Sequence, residues 1–155
     1  MQAHTITVPL DKLDDIISKH ITPLVTAGSI LLLCGQLGAG KTTLVKALMR
    51  QIGIIDNIPS PTFSYVNSYN NSDTGLIVHH FDLYRLNSAD EFFMQGFDEL
   101  LQQKNALAII EWPEILMPFF EQLQGTISGI YCLNLDHNFA QPETRYLTIT
   151  PVKLL

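Results

Sequence analysis

The chain predicts an α/β fold, a mixed and mostly parallel sheet lying between helices. Three observations carry this. Short continuous apolar runs, such as residues 30–34 and 106–110, have the character of buried strands. Between such runs, apolar residues recur at helical spacing, as over residues 10–25. No repeat, low-complexity stretch or Pro/Gly/Ser-rich linker divides the 155 residues, so residues 1–155 are expected to form one domain of common size.

The elements follow in order. Residues 5–8 alternate like a short strand, and Leu10, Leu13, Ile16, Ile17, Ile21, Leu24 and Val25 then mark an amphipathic packing helix that ends at Gly28. Residues 29–34 form an apolar strand before a glycine-rich turn, and residues 43–52 carry helix formers up to Gly53. The β-branched and aromatic content of residues 62–69, a turn at 70–75 and a second strand at 76–81 suggest a β-hairpin. Ser88 and Glu91 form a capping box that opens a short helix; Gly96 interrupts it, and residues 98–103 supply another. Residues 106–110 are a buried-type strand, Pro113 starts a helix, and residues 126–135 and 145–150 are closing strands.

Composition narrows the function. Hydrophobic residues make up 46% of the chain and charged residues 15%, against roughly 25% charged in an average soluble protein. That excludes a disordered chain and predicts a sizeable core. Nine basic residues against fifteen acidic ones give a net charge of −6, which excludes a broad electrostatic footprint for nucleic acid. Contact with RNA is expected only through a partner. The apolar runs fall far short of the roughly 18 residues of a membrane span, and the N-terminus lacks a basic-then-hydrophobic signal layout. A soluble, cytoplasmic protein is expected. Cys34 and Cys132 sit in apolar runs and are expected as buried thiols in a reducing compartment, not as a disulfide framework or zinc site.

The decisive motif is Gly35-Gln36-Leu37-Gly38-Ala39-Gly40-Lys41-Thr42, a full Walker A pattern between an apolar strand and a helix. It makes the fold a P-loop NTPase-type domain. The glycines let the loop curl so that backbone N–H groups from Gly35, Leu37, Gly38, Ala39 and Gly40 face a phosphate at the positive end of the helix. Lys41 neutralises the β- and γ-phosphates. Thr42 supplies a hydroxyl to Mg²⁺, which takes only a few protein oxygens, and Thr43 adds an α-phosphate contact.

Such a loop needs an acid at the carboxyl end of a neighbouring buried strand. Glu111, directly after the run at 106–110, stands where a Walker B acid would; Asp82, after the run that starts at Leu76, is the second candidate. Their roles are interchangeable at this level. Ser60-Pro61-Thr62 follows the P-loop helix, where switch segments order around a γ-phosphate, but spacing leaves Thr62 equally a strand-starting turn residue. His79 and His80 are adjacent on a strand and point to opposite faces, so neither reads as a metal ligand. Trp112 fits an active-site rim and a core position equally well. Of Arg50, Arg85 and Arg145, Arg85 is the best candidate to stabilise charge on a transferring phosphoryl group, although most such arginines are surface ion-pair formers. Low unassisted turnover is therefore expected.

Together, GQLGAGKTT, SPTF, HHFDLYRL, EFFMQGFDEL and IIEWPE, in this order within residues 30–116, closely resemble the TsaE family (older name YjeE), bacterial ATPases of tRNA threonylcarbamoyladenosine synthesis. The resemblance implies a P-loop ATPase using ATP and Mg²⁺ that works with TsaB and TsaD, which transfer threonylcarbamoyl to adenosine 37 of tRNAs reading ANN codons. It implies that tRNA is met through that complex, which the ATPase resets or activates. It further implies that Ser60, Pro61 and Thr62 behave as a switch, that Asp82 is needed for hydrolysis, that Glu111 contributes to the Mg²⁺ site, and that Trp112 lies near partner and nucleotide. Lys41, Asp82 and Glu111 are then the catalytic set, with Thr42 and Glu111 at the metal. One departure is visible: Gln36 stands where the family more often has aspartate. Backbone contacts to phosphate should survive it, and hydrolysis is the step it bears on.

The main alternative is a small-molecule P-loop kinase. Against it, only Arg85 and Arg145 follow the P-loop helix, whereas a phosphate-clamping lid usually needs several arginines. A GTPase switch would need an Asn-Lys-x-Asp motif, which the chain lacks. A module that binds nucleotide without hydrolysing it is the simplest alternative. The adenine contacts carry no pattern of their own, the segment around Leu10 being a candidate cover.

Overall fold

The computed structural model describes residues 2–54, 61, 64–122 and 127–152. Their seven strands are β1 (His4–Pro9), β2 (Ser29–Cys34), β3 (Val66–Asn70), β4 (Ile77–Asp82), β5 (Ala106–Glu111), β6 (Gly129–His137) and β7 (Thr144–Pro151). They form one sheet in the order β1-β7-β6-β2-β5-β4-β3. The central four, β6-β2-β5-β4, are parallel, and the hairpins β3–β4 and β6–β7 and the β1–β7 pair are antiparallel. The sheet is thus mixed as expected, with parallel pairing confined to its centre. All six residues of β5 are buried, as are the first five of β2, because parallel strands are covered on both faces.

Helices cover both faces. One face carries a helical segment over residues 10–24, which includes α1 (Leu13–Ile16), together with α2 (Lys41–Gln51). Ile17, Ile21, Leu44, Val45 and Leu48 from these helices pack on Leu31, Leu33 and Ile109 of the sheet. On the other face lie α3 (Ala89–Met94), α4 (Phe97–Leu101) and α5 (Met117–Gln122). There Phe92, Phe97 and Phe120 pack on Phe81, Ile110 and Leu32, with edge-on contacts such as Phe81 to Phe97 at 5.7 Å between ring centroids. Among the described residues no helix is long and apolar enough to cross a membrane.

Several local expectations hold in detail. Ser88 caps α3 by accepting the Glu91 N–H at 3.2 Å, and Gly96, at φ 72°, separates α3 from α4. Others differ. The helical segment over residues 10–24 is not one regular α-helix: it is a 3₁₀ turn, α1, a π-turn over Ile17–Ile21 and a second 3₁₀ turn holding Pro23. Its apolar stripe begins at Leu13, since Leu10 is 61% exposed. β3 starts at Val66, later than residue 62, because Tyr65 turns to φ 60°, which no extended strand accommodates. Cys34 and Cys132 are half-buried where full burial was expected, and their Sγ atoms are 3.3 Å apart. That contact, with burial second, holds the Cys34 thiol well above the usual range.

Candidate functional site

Parallel pairing brings the carboxyl ends of β2, β4 and β5 to one edge of the sheet, where this architecture places ligands. The loop from Gly35 to Gly40 leaves β2 there and enters α2. Gly35, Gly38 and Gly40 have φ of 131°, 77° and 104°, a region costly for any residue with a Cβ. A Cβ on Gly35 would also strike the Leu135 carbonyl, whereas Gly38 and Gly40 face open space. The loop therefore has a cradle shape whose open side lies at the N-terminus of an eleven-residue helix.

Lys41 curls over this cradle. Its Nζ donates to the Gly35 carbonyl at 2.6 Å and the Gln36 carbonyl at 3.0 Å, and lies 3.6 Å from the centre of the Trp112 ring. Burial pushes its ammonium below the usual lysine range, against the opposing pull of Glu111, Glu114 and Asp82. Gln36 is exposed and takes part through its carbonyl, which also accepts the Ala39 N–H at 3.1 Å. The Ala39 side chain is in the core and Leu37 is 73% exposed.

Glu111 ends β5 with 2% exposure, flanked in register by Leu33 of β2 and Asp82 of β4. Its Oε2 accepts the Thr42 hydroxyl at 2.8 Å, and its Oε1 lies 2.8 Å from His80 Nε2. Asp82 is half-buried and its Oδ1 accepts the Tyr84 N–H at 3.2 Å. Trp112 takes φ 59°, a conformation bulky residues rarely adopt. Its ring is half-buried and packs on exposed Tyr84, with centroids 4.8 Å apart.

Two clefts meet at the loop. The smaller, about 240 Å³, is lined by Leu37, Gly38, Lys41, Thr42, Glu111 and Trp112 among others. The larger, about 320 Å³, has walls from Val8, Leu10, Leu13, Leu135, Pro142 and Glu143. Gly38, Gly40 and exposed Thr43 line both. The smaller holds a lysine, a hydroxyl and a carboxylate; the larger is mainly apolar and wide enough for a flat ring. This donor set fits a nucleoside triphosphate with a hard divalent cation: backbone N–H groups and Lys41 for phosphate, and Thr42 and Glu111 oxygens for a metal that keeps most of its waters.

Lys41, Thr42, Glu111 and Trp112, expected from the sequence, thus converge, with Asp82 next to Glu111 in register. Ser60 and Thr62 lie outside the described residues; Pro61 between them is buried. Arg85 is exposed, its guanidinium 5.8 Å from the centre of the Tyr65 ring. His79 bonds Ser68 Oγ and Gln103 Oε1, each at 2.7 Å. Arg145, weighed from the sequence only as a phosphate-facing arginine behind Arg85, has a structural place the sequence did not show: its Nε donates to the Ala39 carbonyl at 3.1 Å and its Nη1 to the Pro142 and Thr144 carbonyls, tying the β6–β7 hairpin to the loop. Sequence reasoning also missed the walls of the larger cleft, apart from Leu10, and the contact of His80 with Glu111.

Comparison with known proteins identifies a family. The model of a family described as "Threonylcarbamoyl adenosine biosynthesis protein TsaE" matches residues 11–138. A Synechocystis protein named "tRNA threonylcarbamoyladenosine biosynthesis protein TsaE" is 45% identical over 95 residues, 57% of this chain and 57% of that protein. A Treponema pallidum protein of the same name is 37% identical over 105 residues, 68% of this chain and 75% of that protein. The matched stretch spans less than two thirds of the length of most such relatives, as for the Haemophilus influenzae protein at 49%. The crystal structure of Bacillus subtilis YdiB is similar in fold, with a TM-score of 0.66, 24% identity, and coverage of 99% of this chain and 89% of that one.

Proposed function

The chain belongs to the TsaE family of threonylcarbamoyl adenosine biosynthesis proteins, and from that premise we propose that it binds and hydrolyses Mg-ATP in the machinery that makes N6-threonylcarbamoyladenosine at position 37 of tRNA. In this reading it acts in the cytoplasm with TsaB and TsaD and meets tRNA only through them. The observation that carries the ATPase part is the 2.8 Å bond from Thr42 to Glu111. It joins the P-loop helix to the strand-end acid, the two groups that share a magnesium ion in P-loop NTPases.

ATP would lay its base in the larger, apolar cleft and its phosphates along the loop toward Lys41. The phosphate oxygens would take over the Lys41 bonds now made to the Gly35 and Gln36 carbonyls. Thr42 and Glu111 would hold Mg²⁺, which supplies charge neutralisation on the β- and γ-phosphates. Asp82, one strand from Glu111, would orient the attacking water. Trp112 and Tyr84 form an aromatic rim beside Lys41, suited to a partner that reads the state of the site. The alternative of a small-molecule kinase draws no support from Arg145, whose Nε and Nη1 are engaged by three carbonyls of the fold.

The test is the fate of γ-labelled ATP, with and without candidate small-molecule acceptors. Label released as free phosphate supports the ATPase reading. Label transferred to an acceptor instead would establish the kinase.

A further inference from the structure

We propose that His80 is a positioning residue of this site: its Nε2–H fixes the Glu111 carboxylate so that the second oxygen is presented to Thr42 and the metal. The proposal rests on the Mg-ATP reading above. His80 and Glu111 are almost completely buried, at 0% and 2% exposure, with 2.8 Å between Nε2 and Oε1. A carboxylate only accepts hydrogen bonds, so Nε2 carries the hydrogen. Oε2 is left for Thr42, also at 2.8 Å. A carboxyl group that can rotate about its last bond would divide its time among orientations; a donor fixed on one oxygen removes that freedom.

The neighbouring histidine shows why packing alone is an incomplete account. His79 points to the other face of β4 and satisfies both ring nitrogens with neutral side chains, Ser68 and Gln103. His80 makes one side-chain bond only: Nδ1 is buried and has no hydrogen-bond partner among the described residues. An apolar ring would fill the same space without an orphaned nitrogen. What the imidazole adds there is the single donor to Glu111.

The experiment measures ADP affinity by calorimetry, without magnesium and across a magnesium titration, for the parent, His80→Phe and His80→Gln. The Gln side-chain nitrogen can reach the place of Nε2 and donate; the Phe ring cannot. Expected is a loss of apparent magnesium affinity of about tenfold or more in His80→Phe, with magnesium-free ADP affinity within about twofold of the parent, and recovery in His80→Gln. Equal magnesium dependence in His80→Phe and parent, or equal loss in both variants, would overturn the proposal while leaving the Mg-ATP reading intact. A parent that binds ADP with no magnesium dependence would overturn that reading and this proposal together. Nitrogen NMR of the folded parent gives a readout that needs no His80 variant. A ring protonated at Nε2, whose proton shifts on addition of Mg-ADP and in Glu111→Gln, is expected; an Nε2 proton indifferent to both would overturn the proposal.

Discussion

Asp82 and Glu111 stand opposite each other in register at the carboxyl ends of the parallel strands β4 and β5. They differ in burial: Glu111 is 2% exposed with both oxygens bonded in the interior, while Asp82 is half-buried and its Oδ1 accepts the Tyr84 N–H. A buried acid with fixed oxygens suits a metal, and a more accessible one suits water. The proposed function draws on this asymmetry to give Glu111 the metal and Asp82 the water, two roles that residue spacing alone leaves interchangeable.

Asp82→Ala is therefore expected to keep Mg-ATP affinity within about threefold while lowering turnover by about 100-fold or more, the size typical of losing a group that acts mainly in the transition state. Calorimetry and phosphate release together check this. Unchanged turnover would move the water-orienting role elsewhere.

Lys41→Ala should weaken ATP binding by more than about tenfold, since a charge-assisted hydrogen bond contributes roughly 1.5–3 kcal/mol. Burial lowers the Lys41 pKa, so the parent should lose ATP affinity as rising pH removes that proton, earlier than an ordinary lysine would. Affinity should be level near neutrality. Binding measured against pH in parent and variant checks the sign, and Lys41→Ala should show no such alkaline loss.

Leu10 lines the larger cleft but is 61% exposed, so the uncharged variant Leu10→Ser should fold normally. It should weaken ATP binding by about 1 kcal/mol, roughly fivefold, through lost apolar contact with the base. Inorganic triphosphate, which has no base, should bind parent and variant alike. Equal losses for both ligands would show that the base lies elsewhere.

His79 supplies a test away from the site. Burial, opposed by the Gln103 bond, sets its pKa below the ordinary value of 6.5, so the folded chain favours the neutral ring. The associated stability is fully present above that value and is lost as pH falls through the lower folded pKa, because the unfolded chain takes up the proton first. Thermal unfolding from about pH 8 to about pH 5 should fall less steeply in His79→Gln than in the parent.

Much of this was legible because the signals are local. The P-loop occupies consecutive residues, Glu111 follows its own buried run directly, and Ser88 lies within one turn of Glu91. What was not legible depends on approach between distant segments. Arg145 bonds Ala39 across 106 positions, and the larger cleft forms where the end of β1, the P-loop and the β6–β7 hairpin meet. Alternation along β4 places His79 and His80 on opposite faces, yet only the pairing with β5 brings His80 to Glu111. The late start of β3 turns on the single positive φ of Tyr65, to which its β-favouring residue type gives no clue.

The most direct test of the central claim is steady-state phosphate release from Mg-ATP by the purified chain, alone and then with TsaB, TsaD and substrate tRNA. Slow release alone and marked stimulation by the complete set is the predicted result. Turnover that is the same with and without those partners would contradict a role for this ATPase site in the tRNA-modifying assembly.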